Sequence, residues 1–258
     1  MTSSGAPRAG STVFEVAAGW AAAPIRALRG FARHARPGHL PGTTFHAKVL
    51  RHPRASAELA TLADRLAGRA LVRFSGALWQ RRETAPDVLV CALRLRRDDG
   101  DSPEPKATDQ DLLFATVQRP WAAPLSPFLT DVSDYLANDY YALSPFDAGL
   151  AERVYLRLRP ECAGPWGGDL DEVEEGDADD EERSRGERLA AEVERGRATL
   201  KLELGRGPYG PWTPIAAVSL ERRAHVDDEA LRFRPSRDGR GLRPSGFVRA
   251  LLPARFMP

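Results

Sequence analysis

Short runs in which apolar and polar residues alternate recur along most of this chain, and they constrain its fold more than any other feature. In ERVYLRLRP, residues 152–160, Val154, Leu156 and Leu158 alternate with arginine and tyrosine, as in a strand with one apolar face. The pattern predicts strands at 43–51, 69–79, 87–97, 111–118, 152–160, 198–205, 214–226 and 230–236. Strands with one buried and one solvent-exposed face favour an antiparallel barrel. The interior of a barrel with about eight strands is either filled by side chains or holds a ligand.

Helices are predicted between the strands, at 55–67, 127–138 and 187–196. Because strands and helices do not alternate as βαβ units, a doubly wound fold is not expected. The predicted fold class is therefore α+β, with an antiparallel barrel of about eight strands at its centre and helices inserted between them.

Two stretches stand apart from the barrel pattern. Residues 1–40 are predicted to form an N-terminal segment, partly disordered and partly helical, ahead of a barrel domain at 41–258. Residues 161–187 include the acidic run at 169–182, which has few apolar residues. Such a composition is typical of a solvated, mobile loop.

Composition narrows the classes of partner and location. The net charge of +1 gives no overall field that would attract nucleic acid, and no apolar run approaches the roughly 20 residues of a membrane span. The two cysteines are too few for a disulfide framework or a zinc site, and they favour a cytoplasmic location. Cys91 is expected to face the core as a small apolar residue.

His46 lies in the middle of the first predicted strand, within FHAK at 45–48. A strand histidine is either a half-buried core residue or a catalytic base, and the strand pattern alone leaves both interpretations open. The sequence offers no P-loop, no glycine-rich dinucleotide motif and no GxSxG elbow that would assign another chemistry.

Four further patterns occur in chain order: FHAK at 45–48, VRFSGA at 72–77 with PDVLVCALRL at 86–95, DLLFATVQRPW at 111–121, and YYALSPFDAGLAERVYLRLRP at 140–160. Together they resemble the catalase superfamily, in particular its short, single-barrel peroxidase-related members, over roughly residues 40–258. By this resemblance they correspond to the strand of the distal histidine, the RFS motif with its next strand, the strand that brings the distal amide, and a tyrosine-rich segment with the strand after it.

The resemblance implies a haem pocket in or beside the barrel, with peroxide or an organic hydroperoxide as substrate. His46 would be the distal base, and Gln118 would stand where the family carries its distal asparagine. Arg73 would pair with a haem propionate through a charge-assisted contact. Phe74, in the same motif, and Arg249, near the end of the chain, would complete the haem-binding residues.

The proximal side of the implied site departs from the family pattern. Catalase iron is held by a tyrosine, which in the family follows an arginine near the end of the domain. The matching segment here, GFVRALLPARFMP at 246–258, keeps Arg249 and Pro253. The tyrosine position reads Leu252, and leucine cannot ligate iron.

Two hypotheses about function follow. The chain is a haem-dependent enzyme of the catalase or peroxidase type whose proximal ligand comes from elsewhere, such as Tyr140, Tyr141 or another histidine. Alternatively, it is a haem-free catalase-like barrel that binds another ligand or a partner protein. Assembly into a homo-oligomer is compatible with both hypotheses.

Overall fold

The structure, a computed structural model, describes residues 42–77, 84–98, 102–118, 126–161, 183–227 and 230–245. Eight strands form a closed barrel in the order β1-β2-β3-β4-β5-β7-β8-β9, and β9 returns to pair with β1. Every strand pair is antiparallel, so the predicted α+β barrel with inserted helices is confirmed. The barrel strands are β1 (Gly42–Arg51), β2 (Gly68–Gly76), β3 (Leu89–Arg96), β4 (Gln110–Ala115), β5 (Tyr140–Ala142), β7 (Tyr155–Pro160), β8 (Thr199–Gly205) and β9 (Trp212–Arg223).

A small second sheet pairs β6 (Phe146–Asp147) with β10 (Arg243–Pro244). The described helices are α1 (Ala60–Leu66), which follows a 3-10 turn, α2 (Ser126–Leu129) and α3 (Arg185–Glu194). No helix among the described residues is long and apolar enough to cross a membrane.

The helix predicted at 127–138 is much shorter in the structure. It ends at Leu129, and a separate 3-10 turn follows at Tyr135–Ala137. Between them, the Asp131 carboxylate accepts a hydrogen bond from the Ser133 backbone N–H, and the Asp134 carboxylate caps the 3-10 turn at the Leu136 N–H. Short acidic side chains of this kind compete with the helix for backbone N–H groups.

The strand predicted at 230–236 is wrong, and β5 takes the eighth place in the barrel. Because β9 closes the barrel by pairing with β1, residues 230–236 have no free barrel edge to join. They instead cross the outside of the barrel without regular structure, with Leu231 and Phe233 buried. We call residues 230–237 the covering segment.

The barrel interior is filled with apolar side chains. Phe45, Phe74, Phe114 and Tyr140 have no exposed surface and belong to one large core cluster. Cys91 lies in the same cluster, so its expected place in the core is confirmed. Helices α1 and α3 pack their apolar faces against this core and cover it outside the strands.

The outer face of β2, β3 and β4 is not exposed to solvent, although the alternation of apolar and polar residues predicts that it should be. Nearly every residue of these strands is buried, on both faces. Outward-facing Leu71, Ala92 and Leu113 pack against Leu231 and Phe233 of the covering segment. The prediction failed here because a distant part of the chain covers this face, which the strand pattern cannot reveal.

The predictions for the termini and the acidic loop fall largely outside the described residues. The N-terminal segment 1–40 and most of the loop, at 162–182, belong to the parts that the structure does not describe. The last residues of the predicted loop lie in the start of α3 instead. There the Ser184 hydroxyl accepts a hydrogen bond from the Glu187 N–H, and the Glu187 carboxylate accepts one from the Ser184 N–H.

Candidate functional site

His46 and Arg73 lie on the same outer face of two neighbouring strands. Phe45 and Ala47, on either side of His46, belong to the interior core, so the His46 side chain is directed outward. His46 lies opposite Leu71, and Arg73 lies opposite Thr44, which makes His46 and Arg73 diagonal neighbours. Both side chains are buried.

Phe74 and Gln118 are not brought to this face. Phe74 is directed into the barrel, where its ring centroid lies 5.1 Å from that of Tyr135 and 5.9 Å from that of Tyr140. Gln118 is exposed. It follows the end of β4, and it therefore lies farther along the barrel than His46. Arg249 lies outside the described residues, as does the Leu252 position.

Tyr140, a candidate alternative iron ligand, lies in the core and not on the His46 face. Its hydroxyl donates a hydrogen bond to the Tyr135 carbonyl at 2.7 Å, and burial raises the pKa of that hydroxyl well above its usual range. Tyr141 is on β5, where it pairs with β4 and β7. Its hydroxyl donates a long hydrogen bond of 3.4 Å to Asp139.

A small pocket opens beside His46 on the outer face of β1, β2 and β9. Its volume is about 110 Å³. Its lining residues are His46, Ala47, Arg69, Ala70, Leu71, Arg96, Asp98, Glu221 and Arg222. We call it the outer pocket. His46, Leu71 and Arg96 are buried and form its inner wall, whereas Arg69 and Glu221 are 39% and 40% exposed and lie at its mouth.

A β-bulge shapes the outer pocket. Along the β1–β9 pair, His46 lies opposite Arg222 and Ala47 lies opposite Leu220, so Glu221 is an extra residue in β9. A bulge bends its strand and redirects the side chains on it. Glu221 and Arg222, adjacent in sequence, both line the pocket as a result. The sequence carries no signal for this register shift, and neither residue was predicted.

Ion pairs surround the outer pocket. Arg69 Nη1 and Glu221 Oε2 are 2.6 Å apart at the mouth. The buried Arg96 guanidinium lies 3.8 Å from Asp98 and 3.8 Å from Asp109. The Lys106 ammonium donates a hydrogen bond to Asp98, and this bond is the main cause of the lowered pKa of the Asp98 carboxyl.

Neither the barrel interior nor the outer pocket, as the described residues form them, fits haem. The interior core is closed by packed side chains, and the outer pocket has about 110 Å³, below the roughly 300 Å³ at which pockets for larger organic ligands begin. Phe74 and His46 also face opposite sides of the sheet and cannot contact one planar group together. Within the described ranges, no three histidine, cysteine or acidic side chains group as a metal site.

Comparison with known protein families finds no match for the chain, and comparison with curated proteins finds none either. We therefore infer function from the fold and from the geometry around His46.

Proposed function

We propose that this chain is a haem-free, catalase-like barrel that acts as a binding module, with its ligand in the outer pocket beside His46. The observation that carries the proposal is the size and position of that pocket. It has about 110 Å³ and is lined mostly by polar and charged residues, while the barrel interior is filled.

The separation of the haem-contacting residues supports a haem-free state. Of the positions that the catalase resemblance implies, His46 and Arg73 share a face, Phe74 is in the core, and Gln118 is exposed past β4. A distal haem pocket needs the base and the amide within hydrogen-bond reach of one bound peroxide. The Leu252 position adds a second argument, because its side chain cannot ligate iron.

A peroxide-handling haem enzyme is the second candidate. The observation that favours it is the outward orientation of both His46 and Arg73 on adjacent strands, since a distal base and a propionate partner would share such a face. It requires a haem-sized cavity, which neither the packed barrel interior nor the outer pocket supplies, and it requires that a residue other than Leu252 hold the iron.

An absorption spectrum of the full chain, expressed with ample haem, separates the two candidates. We expect no Soret band from the wild-type protein, and a haem protein produced in the same cells serves as the loading control. A stoichiometric band from the wild-type protein would overturn the proposal, and peroxide turnover would then support the second candidate. Leu252→Tyr, measured alongside, tests whether the missing ligand alone excludes haem. Because neither the packed barrel interior nor the outer pocket offers a haem-sized space, we expect no band there either.

A further inference from the structure

We propose that the ligand of the outer pocket is a small oxyanion, of the size of phosphate, sulfate or a short carboxylate. This inference rests on the proposed binding function and assigns the chemical class of the ligand. It is carried by the size of the pocket, the charges that line it and the geometry of its donors.

The size of the outer pocket limits the ligand to a few non-hydrogen atoms. One water molecule needs roughly 10–15 Å³ of such space, so about 110 Å³ holds several waters or one small polyatomic ion. The usual range for larger organic ligands begins at roughly 300 Å³. Nucleotides, sugars and haem are therefore too large.

The charge of the lining favours an anion. Among the lining residues, three arginines, Arg69, Arg96 and Arg222, stand against two carboxylates, which leaves an excess of one positive charge. Counting Asp109 beside Arg96 and Lys106 beside Asp98 leaves this excess unchanged. Both carboxylates are also engaged at the edge of the pocket. Glu221 pairs with Arg69 at 2.6 Å, and Asp98 accepts a hydrogen bond from a lysine that does not line the pocket.

The donors of the outer pocket match the acceptors of an oxyanion. A guanidinium presents N–H groups in a planar fork that bonds two oxygens of a phosphate or carboxylate at once. Arg96 is almost wholly buried, so its charge acts in a region of reduced dielectric constant, where attraction to an anion is stronger than in water. The His46 imidazole adds a ring N–H donor on the same wall.

The bulge at Glu221 explains why such a pocket exists on this face of the barrel. Without it, only every second residue of β9 would be directed to this face. The register shift lets Glu221 and Arg222 both reach the pocket, which adds a third arginine to the lining and a carboxylate that pairs with Arg69.

The test is calorimetric titration of the full chain with inorganic phosphate, with sulfate and acetate as further arms and chloride at equal ionic strength as the reference. We expect one phosphate site on the wild-type protein. Arg222→Gln should weaken phosphate binding about tenfold or more, since a charge-assisted contact is lost. Arg222 is exposed, so this change leaves the core intact.

Two further variants sharpen the test. Glu221→Gln removes a carboxylate from the mouth and should tighten phosphate binding, a direction that simple loss of structure would not give. Arg159→Gln is the matched control, because Arg159 is 54% exposed on β7 and pairs with Asp139 away from the pocket. We expect phosphate affinity to be unchanged in that control.

Two results would overturn the inference. One is that phosphate, sulfate and acetate all fail to bind above the chloride reference. The other is that Arg159→Gln weakens phosphate binding as much as Arg222→Gln does. The weaker binding would then result from the lower net charge of the protein and not from a contact in the outer pocket. Neither result bears on the haem-free proposal, which fails only if the wild-type chain shows a stoichiometric Soret band. The relative affinities of the three anions separate a phosphate ligand from a carboxylate.

Discussion

Arg94 and Asp111 form a wholly buried ion pair on the outer face of the barrel, between the neighbouring strands β3 and β4. Arg94 Nε donates to Asp111 Oδ1 at 2.8 Å, and Arg94 Nη2 donates to Asp111 Oδ2 at 3.2 Å. Asp111 Oδ2 also accepts hydrogen bonds from the Arg234 N–H and the Arg237 guanidinium, each at 2.7 Å. The pair therefore fixes the covering segment to the barrel.

Asp111→Ala should destabilise the fold by about 3–5 kcal/mol, because it leaves the Arg94 charge buried without its carboxylate. The free energy of unfolding in urea measures the effect. Asp238→Ala is the control. It removes an ion pair with Arg243 whose side chains are 45% and 74% exposed, and such a pair contributes about 1 kcal/mol or less. Equal losses in the two variants would contradict the assigned role of Asp111.

Phe233→Ala should loosen the covering segment. The Phe233 ring is 1% exposed, packs on Leu71 and Leu113, and lies 5.0 Å beneath the Arg94 guanidinium. Truncation of a buried phenylalanine costs about 3–5 kcal/mol. We expect a lower unfolding free energy and faster proteolytic cleavage within 230–237. Phe128→Ala, at a side chain that is 59% exposed, should change neither quantity appreciably.

Cys91 should be unreactive in the native protein. Its thiol is completely buried in the barrel core, and this burial raises its pKa, so the nucleophilic thiolate does not form at neutral pH. In a Cys162→Ser variant, Cys91 is the sole thiol. A thiol reagent at pH 8 should label the unfolded chain at once. It should label the folded chain only at the rate at which that chain unfolds. Rapid labelling of the folded protein would show that the core opens around β3.

Much of the barrel could be predicted from the sequence because its strands alternate with period 2 and its apolar positions fill one interior. That signal placed seven of the eight barrel strands within a few residues of their bounds, namely β1, β2, β3, β4, β7, β8 and β9. It missed β5, which has only three residues, too few for an alternation to be recognised. It also assigned 230–236 to a strand, since Leu231 and Phe233 alternate with arginines, although this segment covers the barrel instead of joining it.

The candidate site was predicted less completely than the fold. The outward orientation of His46 follows from its neighbours in β1, but its nearness to Arg73 depends on the cross-strand register, which the sequence does not carry. The other side of the outer pocket depends on the bulge in β9 and on the buried Arg96 at the end of β3. Both arise from tertiary packing, and a buried arginine is not expected from composition or periodicity.

Acid should destabilise the protein as its hydrogen-bonded carboxylates become protonated. The Ser133 hydroxyl donates to Asp131 at 2.6 Å and, as the main cause, lowers the pKa of that carboxyl. A hydrogen bond from Ser184 likewise lowers the pKa of Glu187, and one from Lys106 lowers that of Asp98. A carboxyl whose pKa is lower in the folded state than in the unfolded state stabilises the fold at pH values above its unfolded-state pKa, which is about 4. This stabilisation is lost as the pH falls through the folded-state pKa.

Asp134 acts in the opposite direction, since burial raises its pKa and its protonation therefore favours the folded state. With three lowered carboxyls against this one, the unfolding free energy should decrease from pH 7 to pH 3, as urea titrations at several pH values would measure. Asp131→Asn should make this decrease in unfolding free energy smaller, because it removes the titrating carboxyl. Ser133→Ala should also make the decrease smaller, because it removes the hydroxyl that donates to Asp131. An unfolding free energy that is unchanged down to pH 3 would mean that these hydrogen bonds do not favour the ionised carboxylates.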